Sequence, residues 1–88
     1  MRSIKLKNGF TCKIDEAVFH KMRLLDAIER CKTDGAVISS VIRMIFGDNQ
    51  TETLYEYIEK GGQDVTVEMM SDIIQEVSEA VGDQAKNS

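Results

Sequence analysis

Proline and tryptophan are absent from this chain, histidine occurs once and cysteine twice. Without proline, helices must be broken by glycine and short polar turns. His20 stands alone, so no Cys/His set exists for a transition metal, and a solvent-facing helix residue is its plain reading. Cys12 and Cys31 are nineteen positions apart with no CxxC, and they read as two reduced thiols acting as small hydrophobes rather than as a disulfide. No apolar run approaches the ~20 residues that span a bilayer. Met1 to Lys5 lead into alternating charge rather than a secretory leader, so a soluble, cytoplasmic protein is expected. Also missing are a nucleophile elbow, a phosphate-cradling glycine loop and a metal-binding cluster. Asp72 and Glu76 form an i, i+4 carboxylate pair, but on a helix acidic along its outer face they read as a solvated stripe. The expectation is a non-enzyme, with no catalytic, cofactor-binding or metal-binding residues.

What is present is a foldable chain of 88 residues with ordinary apolar content, three Phe and two Tyr. That length makes one small domain, near the lower limit of what a single core stabilises. The net charge of −4 is unevenly spread: residues 1–43 carry nine Lys/Arg against five Asp/Glu, and residues 44–88 carry two against ten. The acidic half disfavours a phosphate backbone as ligand. The two halves are complementary, within one molecule or between neighbours.

Hydropathy places the elements. Ile4 and Leu6, then Asn8-Gly9, then Phe10, Cys12 and Ile14 alternate as a β-hairpin, expected over 3–14 with both turn residues at positive φ. Lys5, Lys7, Thr11 and Lys13 fall on its wet face. Asp15 caps a helix expected over about 16–32, with Val18, Met22, Leu25 and Ile28 as its inward stripe. Asp34 and Gly47 bracket a second helix, 36–46. A third, 50–60, carries Leu54, Tyr55 and Ile58 to Gly61-Gly62. The last, 66–81, is capped by Asp64 or Thr66. Its seam of Val67, Met70, Ile74, Val77 and Val81 steps by threes and fours, widened by Met69, Ile73 and Ala80. Gly82 is expected to end it, leaving 83–88 as a disordered tail on a single domain, 1–82. The fold class is α+β, mostly α: an N-terminal hairpin followed by four short helices.

The segment Ala36–Phe46 is apolar almost all the way round. Val37, Val41, Met44 and Ile45 make one stripe, and Ile38, Ile42 and Phe46 make another. Ser39, Ser40 and Arg43 form the narrow polar strip. Such a helix is either wrapped by its own protein or open to a partner. Leaving Ile42 or Phe46 wet forfeits roughly 1.5–3 kcal/mol each. The expectation is that the Ile38, Ile42 and Phe46 side stays uncovered. With Val67, Met70, Ile74 and Val77 of the last helix, it would form partner-binding and self-association surfaces. Met22, Met44 and Met70 are assigned to the core.

The order of these pieces resembles a known family. A strand, Asn8-Gly9, a second strand ending Ile14-Asp15-Glu16, then Leu24-Leu25-Asp26-Ala27-Ile28-Glu29 is similar to the start of the small tail assembly chaperones of siphophages and prophages of Gram-positive bacteria. The likeness continues through Ile42-Arg43-Met44-Ile45-Phe46-Gly47-Asp48, Leu54-Tyr55-Glu56-Tyr57-Ile58 and Val65-Thr66-Val67-Glu68-Met69-Met70-Ser71. It covers nearly the whole chain as a pattern of apolar and turn residues. The resemblance implies a non-enzymatic protein of the bacterial host cytoplasm that coats the tape measure protein and recruits tail tube subunits. Two alternatives stand beside it. One is a structural tail-completion or connector component of the virion. The other is a small DNA-binding regulator with Lys21, Arg23, Arg30, Lys32 and Arg43 on phosphates.

Overall fold

The computed structural model describes residues 1–86, with side chains as far as Gly82. Strands β1 (Arg2–Lys5) and β2 (Thr11–Ile14) pair antiparallel, with Ile4 opposite Cys12 and Arg2 opposite Ile14. Four helices follow: α1 (Met22–Cys31), α2 (Ile38–Phe46), α3 (Asp48–Lys60) and α4 (Val67–Lys86). A 3-10 segment, Glu16–His20, precedes α1, and another, Gly35–Val37, leads into α2. The molecule is α+β and mostly α, a hairpin followed by helices.

The hairpin loop differs from the one expected. Leu6 N–H donates to Phe10 O at 2.8 Å and Gly9 N–H donates to Leu6 O at 2.9 Å, so Lys7, Asn8 and Gly9 form a three-residue loop. Only Gly9 has positive φ, at +96°. Asn8 keeps negative φ and accepts from Phe10 N–H through Oδ1 at 2.9 Å. This is a turn followed by a glycine bulge rather than the two-residue primed turn. The alternation survives it: Ile4, Leu6, Phe10, Cys12 and Ile14 are buried, and Lys5, Lys7, Thr11 and Lys13 are exposed. Gln50 shields part of the open edge of β2, accepting from Lys13 N–H at 2.8 Å and donating to Lys13 O at 2.9 Å.

The helix expected over 16–32 is broken at Lys21, whose backbone is extended (φ −83°, ψ 126°). At roughly 100° per residue, a straight helix would set Val18, Met22 and Leu25 about 140° round from Leu24, Ala27 and Cys31, with Ile28 between the two stripes. One core cannot take both stripes. The break lets the second stripe turn inward while Val18 and Phe19 of the 3-10 segment also pack on the core. Met22 and Leu25, expected inside, are therefore 66% and 42% exposed, and Leu24 is buried.

α2 is the central element. It packs against α1, α3, α4 and β2, which explains a helix apolar on most sides. A single residue, Gly47 (φ +79°), joins α2 to α3, so α3 starts two residues before the expected 50. Thr51, fully buried, donates through Oγ1 to Gly47 O at 2.7 Å, which satisfies its hydroxyl inside the core. Thr66 caps α4, accepting from Met69 N–H at 3.2 Å. Met70, Ile73, Ile74, Val77 and Val81 of that helix are buried. Gly82 lies inside α4 rather than ending it. The expected tail falls on side chains 83–86 and residues 87–88, which lie outside those described.

Candidate interaction surface

Six of the seven residues expected to meet a partner are inside the molecule. Ile38, Ile42 and Phe46 of α2 and Met70, Ile74 and Val77 of α4 belong to one buried cluster with the hairpin and α3. The expectation that the Ile38, Ile42 and Phe46 side stays open is corrected: the hairpin, α3 and α4 all lie across it. Val67 alone is open, at 51% exposure, because it begins α4 where the linker arrives.

The other apolar stripe is covered only in part: Val41 and Ile45 are buried and Met44 lies at the open edge. Val37, Ser40 and Met44, at i, i+3 and i+7, face a groove between α2 and α1. Met44, expected in the core, is 43% exposed there. α1 contributes Arg23, Asp26, Ala27 and Arg30, which share one face by the same spacing. This part of the groove encloses about 310 Å³. A neighbouring hollow of about 260 Å³ shares Arg23 and Met44 and is completed by Val18, Lys21 and Leu24. Together the two are lined by apolar Val18, Leu24, Ala27, Val37 and Met44 and by Lys21, Arg23 and Arg30, with Asp26 and Ser40 among them. Among the described residues, Lys21, Arg23 and Arg30 have no carboxylate within ion-pair distance.

Two other cations of the basic half are engaged. Lys32 meets Glu29 at 3.0 Å. Arg43 meets Asp48 at 3.1 Å and Glu52 at 2.9 Å across the α2–α3 joint, and bonding to Glu52 and then Asp48 raises its pKa above the ordinary guanidinium value. Arg43 thus braces a corner instead of facing outward as a free charge.

A second hollow, of about 260 Å³, lies where the α3–α4 linker crosses the start of α2. Ile38, Val67 and Met70, three of the residues expected to meet a partner, line it with Ser39, Tyr55 and Val65, and its lining has no charged side chain. Tyr57, on a different face of α3, is committed elsewhere. Its hydroxyl donates to Asn8 O at 3.0 Å, and its ring meets Phe10 edge-on at 5.4 Å. Gly9 lies so close beneath it that a Cβ there would be 2.8 Å from the Tyr57 oxygen.

The groups with chemical potential are spoken for or scattered. Cys12 is buried and its thiol is pushed up to about 11, first by burial and then by the charge of Glu76. Glu76 does not join the solvated acidic stripe, since its carboxylate accepts from Lys7 N–H at 2.8 Å. His20 is exposed at the end of its 3-10 segment. Among the described residues, no group of three or more His, Cys, Asp or Glu could hold a metal ion. None of their helices is long and apolar enough to cross a membrane.

Comparison of the chain with known protein families, with curated proteins and with solved structures finds no match. The groove must therefore be read on its own chemistry. Sequence reasoning missed Met44 as a surface residue, and missed the partly buried Val37 and Ala27 as lining of the groove. The signal for Met44 was its place beside Arg43 and four positions after Ser40, at the margin of the polar strip rather than on the core side.

Proposed function

We propose that this chain is a tail assembly chaperone of a siphophage or prophage of a Gram-positive bacterium. In this reading it is a non-enzymatic binding protein of the host cytoplasm that coats the tape measure protein and recruits tail tube subunits. The observation that carries the reading is the α1–α2 groove, where exposed Met44 and partly buried Val37 and Ala27 lie among Arg23, Asp26 and Arg30. Met44, 43% exposed, and the partly buried Val37 lie along this groove beside a core that buries Ile42, Val41, Leu54 and Val77 completely, and a partner seated in the groove would cover them. The order of hairpin and helices suits the resemblance as well, and the resemblance supplies the partner's identity. A long tape measure with many apolar helical segments would need such a surface during assembly.

Co-expression tests the reading directly. The tape measure protein, encoded beside this gene in the proposed setting, should be recovered in soluble form several-fold more when this chain is made with it. An unchanged soluble fraction would overturn the reading. Mass spectrometry of purified virions separates the chaperone from a connector or completion component, since a chaperone is missing from the finished particle. The DNA-regulator alternative is weakened by α2, whose apolar faces are packed in the core and whose Arg43 is tied to two carboxylates. The part of that helix left uncovered offers Ser39, Ser40 and Met44 but no unpaired cation to a groove of DNA.

A further inference from the structure

We infer that the α1–α2 groove is a docking site for an amphipathic helix of a partner protein whose apolar stripe is bordered by Asp or Glu. The inference rests on reading the domain as a binding module, but not on the partner being a tape measure. Its first support is shape. Two adjoining hollows, of about 310 and 260 Å³, share Arg23 and Met44. Each is at or below the low end of the size range for small-molecule sites. Together they suit successive side chains of a helix, which presents anchors at i, i+3 or i+4, and i+7.

Charge is the second support. Lys21, Arg23 and Arg30 border the floor, and among the described residues none is paired. Asp26 is the opposing acid in the lining. An acidic amphipathic helix uses both parts of this surface, its apolar stripe on Ala27, Val37 and Met44 and its carboxylates on the border. A phosphate backbone would use the cations alone, leave the floor unfilled and meet Asp26. A second copy of the chain offers acidic charge on α4, yet Met70, Ile74 and Val77 of that helix are buried in their own core. Among the described residues the only exposed apolar side chain of that helix is Val67 at its start, so it brings carboxylates without a row of anchors. The hollow beside Val67 has no charged lining that would specify an occupant.

The test pans the full-length chain against a displayed library of randomised helical peptides, then measures the enriched peptides by fluorescence anisotropy. The expected winners carry Leu, Met or Phe at i, i+3 or i+4, and i+7, flanked by Asp or Glu. Arg23→Glu and Met44→Asp should each weaken binding at least tenfold while the circular dichroism spectrum and urea midpoint stay at the wild-type values. Arg23→Lys should retain most of it. A roughly tenfold rise in ionic strength, which shortens the Debye length about threefold, should weaken binding several-fold. Neutral or basic winners, affinity indifferent to both groove variants, or no enrichment would each overturn the inference. So would duplex DNA displacing the peptides at lower concentration. A concentration-dependent dimer that excludes the peptides and is lost in Met44→Asp would assign the groove to a second copy and overturn it equally. Acidic winners together with an unaided tape measure would leave this inference standing and remove the chaperone reading.

Discussion

The two apolar stripes of α2 look alike in the sequence and are covered to different extents. On one, Ile38, Ile42 and Phe46 are sealed under the hairpin, α3 and α4. On the other, Val41 and Ile45 are buried too, while Met44 and the partly buried Val37 lie with Ser40 along a groove against α1. The difference lies in what the neighbours bring. The sealing side is tied by long-range polar contacts as well as apolar ones: Tyr57 to the hairpin loop, Gln50 to β2, Glu76 to Lys7. α1 brings Arg23, Asp26 and Arg30 to its side of the groove, and groups like these keep the cleft hydrated unless a partner supplies their counter-charges. Apolar content alone does not decide which face of a central helix is core. The polarity of the facing element does.

The largest expected effect comes from charging the sealed flank. Ile42→Asp buries a carboxylate with no partner, and the loss should exceed about 4 kcal/mol, enough to unfold a domain of this size. Circular dichroism should show an unfolded chain at neutral pH; a folded variant would mean that this flank opens easily and would erase the contrast. Gly9→Ala comes next. Placing Ala at a φ of +96° costs about 1–2 kcal/mol, and the new Cβ would meet the Tyr57 hydroxyl at 2.8 Å. A total near 2–3 kcal/mol is expected once the hydroxyl's hydrogen bond is disturbed. The same substitution in a Tyr57→Phe background should cost measurably less, because the clash is removed and the backbone strain remains. Equal costs in the two backgrounds would show that Tyr57 does not press on the loop.

Cys12 probes the sealed side more gently. Its thiol is pushed up to about 11 from an ordinary 9.0 by burial and by Glu76. A folded pKa above the unfolded one gives stability that is fully present below pH 9 and declines as pH rises through about 11. Wild type and Cys12→Ala, compared by urea midpoint, should therefore converge as pH rises past 9. At pH near 8, alkylation of the native protein should mark half-buried Cys31 and spare Cys12 until urea is added. Rapid native labelling of Cys12 would show that the hairpin lifts off the helices.

Much of this layout is legible in the residues. Period-two alternation around Asn8-Gly9 identifies the inward face of the hairpin, and the three-four steps of α4 identify its seam, because each signal is local and its element regular. The first helix is different. Val18, Met22, Leu25 and Ile28 form as good a stripe as Leu24, Ala27 and Cys31 with the same Ile28 at its edge, and only the shape of the rest of the core chooses between them. The break at Lys21 carries no glycine or proline to announce it. Thr51 is likewise hidden in the sequence, since its burial depends on Gly47 offering a carbonyl. The candidate groove was unreadable for the same reason. It is built from the α1 face that the break turns toward α2, so an unbroken helix in mind places Arg23 and Arg30 elsewhere.

The smallest expected effect is the one that defines the open flank. Met44 is 43% exposed and three residues of its surroundings, Lys21, Arg23 and Arg30, are cationic. Met44→Asp loses part of an apolar contact that water already reaches, and its new carboxylate gains attraction from those cations. The two contributions oppose each other, so stability should change by no more than about 0.5 kcal/mol, the usual range for a surface site. Ile42 and Met44 are two positions apart on one helix, and the same substitution at each should differ by several kcal/mol in urea denaturation. A Met44→Asp loss above about 2 kcal/mol, comparable to emptying a core site, would place Met44 in the core after all. The groove would then be a shallow seam between packed helices rather than a surface kept open for a partner.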